Sequence, residues 1–232
     1  MEQIRIGLIG IGRLGTALMK HWCDQRVPVG IYHPDASKAK NFIISYPNGY
    51  LIKKEEIHEM HAFVLALPAN QIVPFLSECM AQKVPIQNTC FINMATALNT
   101  QDVCAQFTDL NIVGLKFLGH STDLLEHGNG LFITEQPIRE EIRNYIQVLG
   151  EVKQDREEVV GKVNELATYL AINAAIDLED EFENNNFPLE YKKRAMTSLF
   201  PEVIRSYSKG NLGHFGKEIE KELKNKGTTN QN

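Results

Sequence analysis

Gly10-Ile11-Gly12-Arg13-Leu14-Gly15 stands between an isoleucine-rich run over residues 4–9 and a segment over 13–24 whose Leu14, Ala17, Leu18 and Trp22 recur at helical spacing. A strand that turns at glycine straight into a helix is the opening unit of a doubly wound sheet. With G-x-G-x-x-G at the turn, that unit is a cradle for a dinucleotide pyrophosphate. Gly10 permits the tight turn, Gly12 lets the backbone approach the phosphates, and Gly15 lets the helix pack close to the strand. Arg13 and Leu14 open the helix, whose free N–H groups and partial positive charge favour an anion. Gly10, Gly12, Arg13, Leu14 and Gly15 are therefore expected to bind a dinucleotide.

The pattern continues through the first half of the chain. Short apolar runs at 28–32, 50–52, 62–67, 89–94, 112–117 and 130–134 alternate with helical patterns at 36–45, 72–80, 101–107 and 138–149. Strand, helix, strand, repeated with right-handed crossovers, gives a Rossmann-type α/β fold with a mostly parallel sheet over residues 1–150. The final strands of that sheet are free to run antiparallel. After Gly150 no strand pattern is visible. Helices at 156–182, 189–208 and 217–224 form a small all-helical region over 151–224, followed by a frayed polar tail at 225–232. The first of these helices carries Val159, Val163, Leu166, Leu170, Ala174 and Leu178 on one face. So small a region is marginal alone, so it is expected to take part in substrate binding and to form a homodimer through its helices.

The 232 residues are 43% hydrophobic and 23% charged, a globular composition. The net charge of −5 argues against a nucleic-acid partner. No apolar run approaches the about 20 residues that span a bilayer, and no signal-peptide order is visible, so no membrane partner and a cytoplasmic location are expected. Cys23, Cys79, Cys90 and Cys104 form no C-x-x-C pair and read as reduced thiols, with no metal site.

Cofactor choice falls to the end of the second strand. An acidic residue about 20 positions past the glycine loop favours NAD, and Asp35 lies near that distance. Asp35 equally fits a helix N-cap. His33, Ser37 and Lys38 can surround a 2′-phosphate, and NADP is preferred here with NAD as the alternative. Leu67 and Pro68 end the strand over 62–67 and are placed at the nicotinamide side. Asn93, with Thr96, occupies the end of the next strand. Lys116-Phe117-Leu118-Gly119-His120-Ser121-Thr122-Asp123 is the densest polar cluster at an expected strand end. Lys116 is placed to hold a substrate carboxylate, with Ser121 beside it. His120 is a candidate proton donor, since histidine exchanges its proton near neutral pH. No H-E-x-x-H and no G-x-S-x-G occurs.

Residues 4–18, Val64-Leu65-Ala66-Leu67-Pro68-Ala69-Asn70-Gln71-Ile72 and the segment 116–130 resemble pyrroline-5-carboxylate reductase and its relatives among the 6-phosphogluconate-dehydrogenase-like enzymes. The resemblance implies an NAD(P)-dependent oxidoreductase, passing hydride to or from a small imino, keto or hydroxy compound, with a dimerising helical domain. The chain departs from the family where Arg-x-Met-Pro-Asn-Thr-Pro is replaced by residues 116–122. It also lacks the Ser/Gly-rich stretch that holds the imino-acid carboxylate, so the substrate is expected to differ from the standard proline precursor. The run 169–175 resembles the helix of ketopantoate reductases and β-hydroxyacid dehydrogenases, which carry a catalytic lysine four residues before an asparagine. Asn173 matches the asparagine, Tyr169 occupies the lysine position, and Lys162 is another lysine on the same helix. His120, Tyr169, Asn173 and Lys162 are thus the catalytic candidates. The alternative is a regulatory or sensor protein that binds the dinucleotide and has lost catalysis.

Overall fold

The computed structural model describes residues 4–229. Met1–Gln3 and residues 230–232 of the expected tail lie outside the described residues. Two compact units divide the chain, the first ending at Leu166 and the second starting at Ala167.

The first unit opens with β1 (Ile6–Ile9), α1 (Arg13–Asp24), β2 (Val29–Tyr32), α2 (Ala36–Ile44), β3 (Gly49–Leu51), a 3-10 turn at Lys54–Glu59, β4 (Ala62–Leu65), α3 (Ala69–Ala81), β5 (Cys90–Asn93), α4 (Thr100–Gln106) and β6 (Asn111–Gly114). These six strands form one parallel sheet in the order β3-β2-β1-β4-β5-β6. The strand order reverses between β1 and β4, which is where such sheets open a crevice beyond their carboxyl ends. Every residue of β1, β2, β4 and β5 is buried. Burial on both faces explains why their sequences are near-continuous apolar runs, Asn93 excepted, and do not alternate. Ile6, Leu8, Val64 and Ile92 face a core that contains Leu18 and Trp22 of α1. Ile9, Phe63, Leu65 and Phe91 face a second core with Ile72 and Leu76 of α3.

The chain then forms β7 (Lys116–Leu118), α5 (Ser121–His127), β8 (Gly130–Thr134), α6 (Glu140–Gln147) and β9 (Gly150–Gln154). Here the structure corrects the sequence reading three times. The run at 112–117 is two strands: the Leu115 N–H still bonds Asn93 O at 3.0 Å, the last rung beside β5, and β7 then pairs with β8 in a second sheet. The polar segment after residue 120 contains helix α5, capped by His120 Nδ1, which accepts from the Thr122 N–H at 3.3 Å. A strand does follow residue 149: β9 pairs in parallel with β8, which is antiparallel to β7. Only Val152 of β9 is buried, so its sequence lacks the apolar alternation of the other strands. Trp22 joins α1 to this part of the unit. It is fully buried and its indole N–H donates to Tyr145 O at 2.9 Å.

Helix α7 (Glu157–Asn184) begins in the first unit and continues into the second. The second unit adds α8 (Leu189–Arg194), a π-helical turn at Ala195–Leu199, α9 (Phe200–Ser208) and α10 (His214–Thr229). Pro188 caps α8, as its missing N–H allows at a helix start. Residues 225–229, expected in the frayed tail, continue α10.

Replacing Trp22 with alanine removes both the buried ring and the bond to Tyr145. The expected loss is about 3–5 kcal/mol of unfolding free energy, read as a lower urea midpoint by far-ultraviolet circular dichroism. A loss within about 0.5 kcal/mol, the range of an uninvolved surface change, contradicts the packing described.

Candidate dinucleotide site

The loop between β1 and α1 is set by two close approaches. Gly10 has φ +101°, and a Cβ there would stand 2.2 Å from Ala66 O. A Cβ on Gly15 would stand 1.9 Å from Gly10 O. Both positions therefore exclude a side chain for reasons internal to the fold. Gly12 differs. Its φ of −77° suits any residue, and beyond its two chain neighbours no described atom lies within 4 Å of its Cβ position. It is the N-cap of α1 and makes no side-chain cap, so the first N–H groups of the helix open onto that space.

Two cavities flank this loop, both within the first unit. The larger, of about 940 Å³, runs from Gly10 and Gly12 past Tyr32, His33 and Lys38. The smaller, of about 380 Å³, lies between Arg13 and Leu14 on one side and the 94–97 segment on the other. Gly12, Ala66, Leu67 and Pro68 line both. A bound dinucleotide has this layout, with its pyrophosphate at a helix start and one nucleoside to either side. The residues present fit such a group.

Of the expected cofactor residues, Gly10, Gly12, Arg13, Leu14, His33, Leu67 and Pro68 line these cavities. Four others do other work. Gly15 packs the helix against the turn. The Asp35 carboxylate caps α2, accepting from the Ser37 N–H at 2.9 Å and the Lys38 N–H at 3.3 Å. Asp35 thus fills the helix-cap role that was the alternative to a ribose ligand. Ser37 takes part through its backbone N–H, in the same cap. Asn93 is fully buried, its Oδ1 accepting from the Ala95 N–H at 3.0 Å and its Nδ2 donating to Leu98 O at 3.1 Å and Thr100 Oγ1 at 3.0 Å. It shapes the segment between β5 and α4 and does not face either cavity. Sequence reasoning missed Tyr32, Asn41 and Gln71 of the larger cavity. Their signal was weak, since each sits just beyond or within an element read for its apolar pattern.

The catalytic and substrate candidates line neither cavity. Lys116, expected to meet a substrate, is 1% exposed. Its Nζ donates to Ala95 O at 2.8 Å and Leu98 O at 2.9 Å, and lies 3.4 Å from Glu157 Oε2. Burial pulls its pKa down to about 8, against the opposing pull of Glu157. Its donors are spent inside the protein, which overturns the substrate role. Ser121 is half-buried in the first turn of α5, and His120 is exposed at its cap. Lys162 is exposed and pairs with Glu158 at 3.7 Å. In the second unit, Tyr169 is exposed, and Asn173 Nδ2 donates to Asp177 Oδ2 at 3.0 Å. The Cys79 and Cys90 thiols are free and pushed up to about 11 by burial, so neither is a nucleophile near neutral pH. No described helix is long and apolar enough to cross a membrane.

No protein-family model and no curated protein matches this chain. Solved structures do. A pyrroline-5-carboxylate reductase from Coxiella burnetii superposes with a TM-score of 0.70 at 13% identity, covering 96% of this chain and 85% of that one. An imine reductase from Myxococcus stipitatus in complex with NADP+ gives 0.60 at 14% identity, covering 90% and 78%. An imine reductase from Aspergillus terreus in complex with NADPH4 and dibenz[c,e]azepine gives 0.57 at 13%, covering 89% and 78%. At such identities the likeness establishes a shared fold, the Rossmann-type sheet followed by helices.

The glycines separate fold from ligand. Gly12→Val is expected to cost no more than about 1 kcal/mol of unfolding free energy, the loss of a favourable N-cap residue, and to abolish calorimetric binding of NADPH. Gly15→Val is expected to lose about 1–3 kcal/mol or more, because its side chain has no room. If Gly12→Val binds as the parent does, the phosphates do not sit at this loop.

Proposed function

We propose that the chain is an NAD(P)-dependent oxidoreductase acting on a small imino, keto or hydroxy compound, with NADP preferred. The observation that carries this reading is the empty approach at Gly12, at the N-terminus of α1, with a cavity on each side. The nicotinamide, when bound, supplies the hydride chemistry. The chain's residues then bind and orient. The N–H groups of α1 receive the pyrophosphate, and Leu67 and Pro68 support the ring side. His33 and Lys38, both lining the larger cavity, favour a 2′-phosphate, while Asp35 is occupied as a cap. For the accompanying proton the reading keeps His120, which belongs to the same unit as the two cavities, since the Lys162 ammonium pairs with Glu158. Solved structures of the same fold include reductases in complex with NAD+ and NADP+, which supports the reading.

Calorimetric titration tests it. NADPH is expected to bind more tightly than NADH, and Lys38→Ala to weaken NADPH by about tenfold while leaving NADH unchanged. Failure of the folded protein to bind either compound removes the reading.

The proposal extends to a homodimer through the second unit. Among its described residues only Ala195 is buried. Leu170, Ile172, Leu189, Leu199, Ile204 and Phe215 are all more than half exposed. A helical unit with its apolar residues facing outward needs a covering surface. A second copy supplies the same surface in return, as in the dimerising domain of the family this chain resembles. Light scattering at micromolar concentration is expected to give twice the 26.2 kDa chain mass, and a single-chain mass contradicts the dimer.

A further inference from the structure

The segment between Asn93 and Thr100 has no regular secondary structure, yet its Met94, Ala95, Thr96 and Ala97 form one wall of the smaller cavity. Buried backbone groups without ladder partners must be satisfied by other means. Three side chains from three elements do so here. Asn93, at the end of β5, ties Ala95 N–H, Leu98 O and Thr100 Oγ1. Lys116, at the start of β7, donates to Ala95 O and Leu98 O. Glu157, at the start of α7, accepts from the Thr100 N–H at 3.2 Å through Oε2, the oxygen that also faces Lys116. The Glu157 carboxylate occupies the space a Cβ on Gly114 would need, with Oε1 1.4 Å from that position. Its own N–H donates to Glu135 Oε1 at 3.0 Å.

An ammonium group has three N–H donors, and Lys116 has three acceptors: two carbonyls of one loop and a carboxylate that grips the following helix. The side chain is too buried to touch a ligand. We propose that Lys116 is a positioning residue, whose ammonium fixes the 94–99 loop and so sets the wall against which the nicotinamide end of the dinucleotide lies. The inference rests on the dinucleotide reading above and deepens it. The carboxylates facing Lys116 are Glu157 and Glu135, and Cys104 of α4 is a titratable neighbour of Glu157. Burial lowers Lys116 to about 8. Once the proton leaves, two donors remain for three acceptors, and the loop loses a tie as pH rises through that value.

The test compares NADPH with 2′-phospho-ADP-ribose, the same molecule without its nicotinamide, by calorimetric titration of the full chain. The protein is expected to prefer NADPH near neutral pH. Lys116→Met is expected to weaken NADPH by about tenfold while the fragment, which lacks the ring that would lie against the 94–97 wall, keeps its affinity. In the parent, the preference for NADPH is expected to shrink between about pH 7 and about pH 9, and in Lys116→Met to stay flat. Glu157→Gln keeps the shape, removes the charge and is expected to reduce the preference as well. Equal weakening of both compounds in Lys116→Met, or no change in either, overturns the positioning role and leaves the dinucleotide reading standing. A parent that binds neither compound removes both. Where Lys116→Met does not fold, Glu157→Gln decides: an unchanged preference for NADPH in that variant overturns the inference.

Discussion

Backbone meets backbone at one point on which the site depends. The turn after β1 runs so close to the end of β4 that Gly10 has no room for a Cβ beside Ala66 O, and the first turn of α1 folds back until Gly15 is pressed on Gly10 O. Contact at that distance sets the helix axis relative to the strands more firmly than side-chain packing can. From it follow the direction of the α1 N-terminus, the crevice at the reversal of strand order, and the division of that crevice into two cavities that share Gly12 and the Leu67-Pro68 turn. The apolar faces above and below the sheet, with Trp22 at the centre of one and Phe63 and Phe91 in the other, hold this arrangement in place.

Charge plays a different part in the first unit. A lysine and a glutamate are taken almost wholly out of water, which is costly for each ion. They hold an irregular segment that hydrophobic burial alone does not shape. Leucine or methionine at Lys116 would fill the space and leave two carbonyls unanswered. Among the described residues of the second unit no glycine is pressed on backbone and no ion pair has both partners buried. Its helices carry exposed surface ion pairs, such as Arg205 with Glu202, and these contribute little to stability.

Where burial is symmetrical, sequence and structure agree. The strands Ile6–Ile9 and Ala62–Leu65 are apolar throughout, and Cys90–Asn93 is apolar up to its last residue, because helices cover both faces. The glycine loop was legible because its spacing is dictated by backbone contact. The break at Leu115 was not, since Gly114 lies inside a run whose apolar residues resume on its far side, and no proline or polar turn marks the change of sheet. Strand β9 escaped because one buried valine among charged residues carries no period. Lys116 was misread for a deeper reason. Its partners are main-chain oxygens of residues 95 and 98, and backbone carbonyls leave no mark in the sequence. Glu157 looks like any acid in a first helical turn until Gly114 opposite it is seen to make room.

The three glycines of the loop answer to different masters. Two are held by the fold itself, so any descendant of this chain that still folds must keep them or rebuild the turn. Gly12 has no such bond to its surroundings. Selection for a stable protein alone would let that position drift to alanine, serine or valine within a few nucleotide changes, unnoticed by the core. Its smallness is useful only to something that arrives from outside and needs the backbone bare. Among relatives of this chain, then, position 12 is the place where abandonment of the ligand would first leave a trace, long before the sheet or its helices changed.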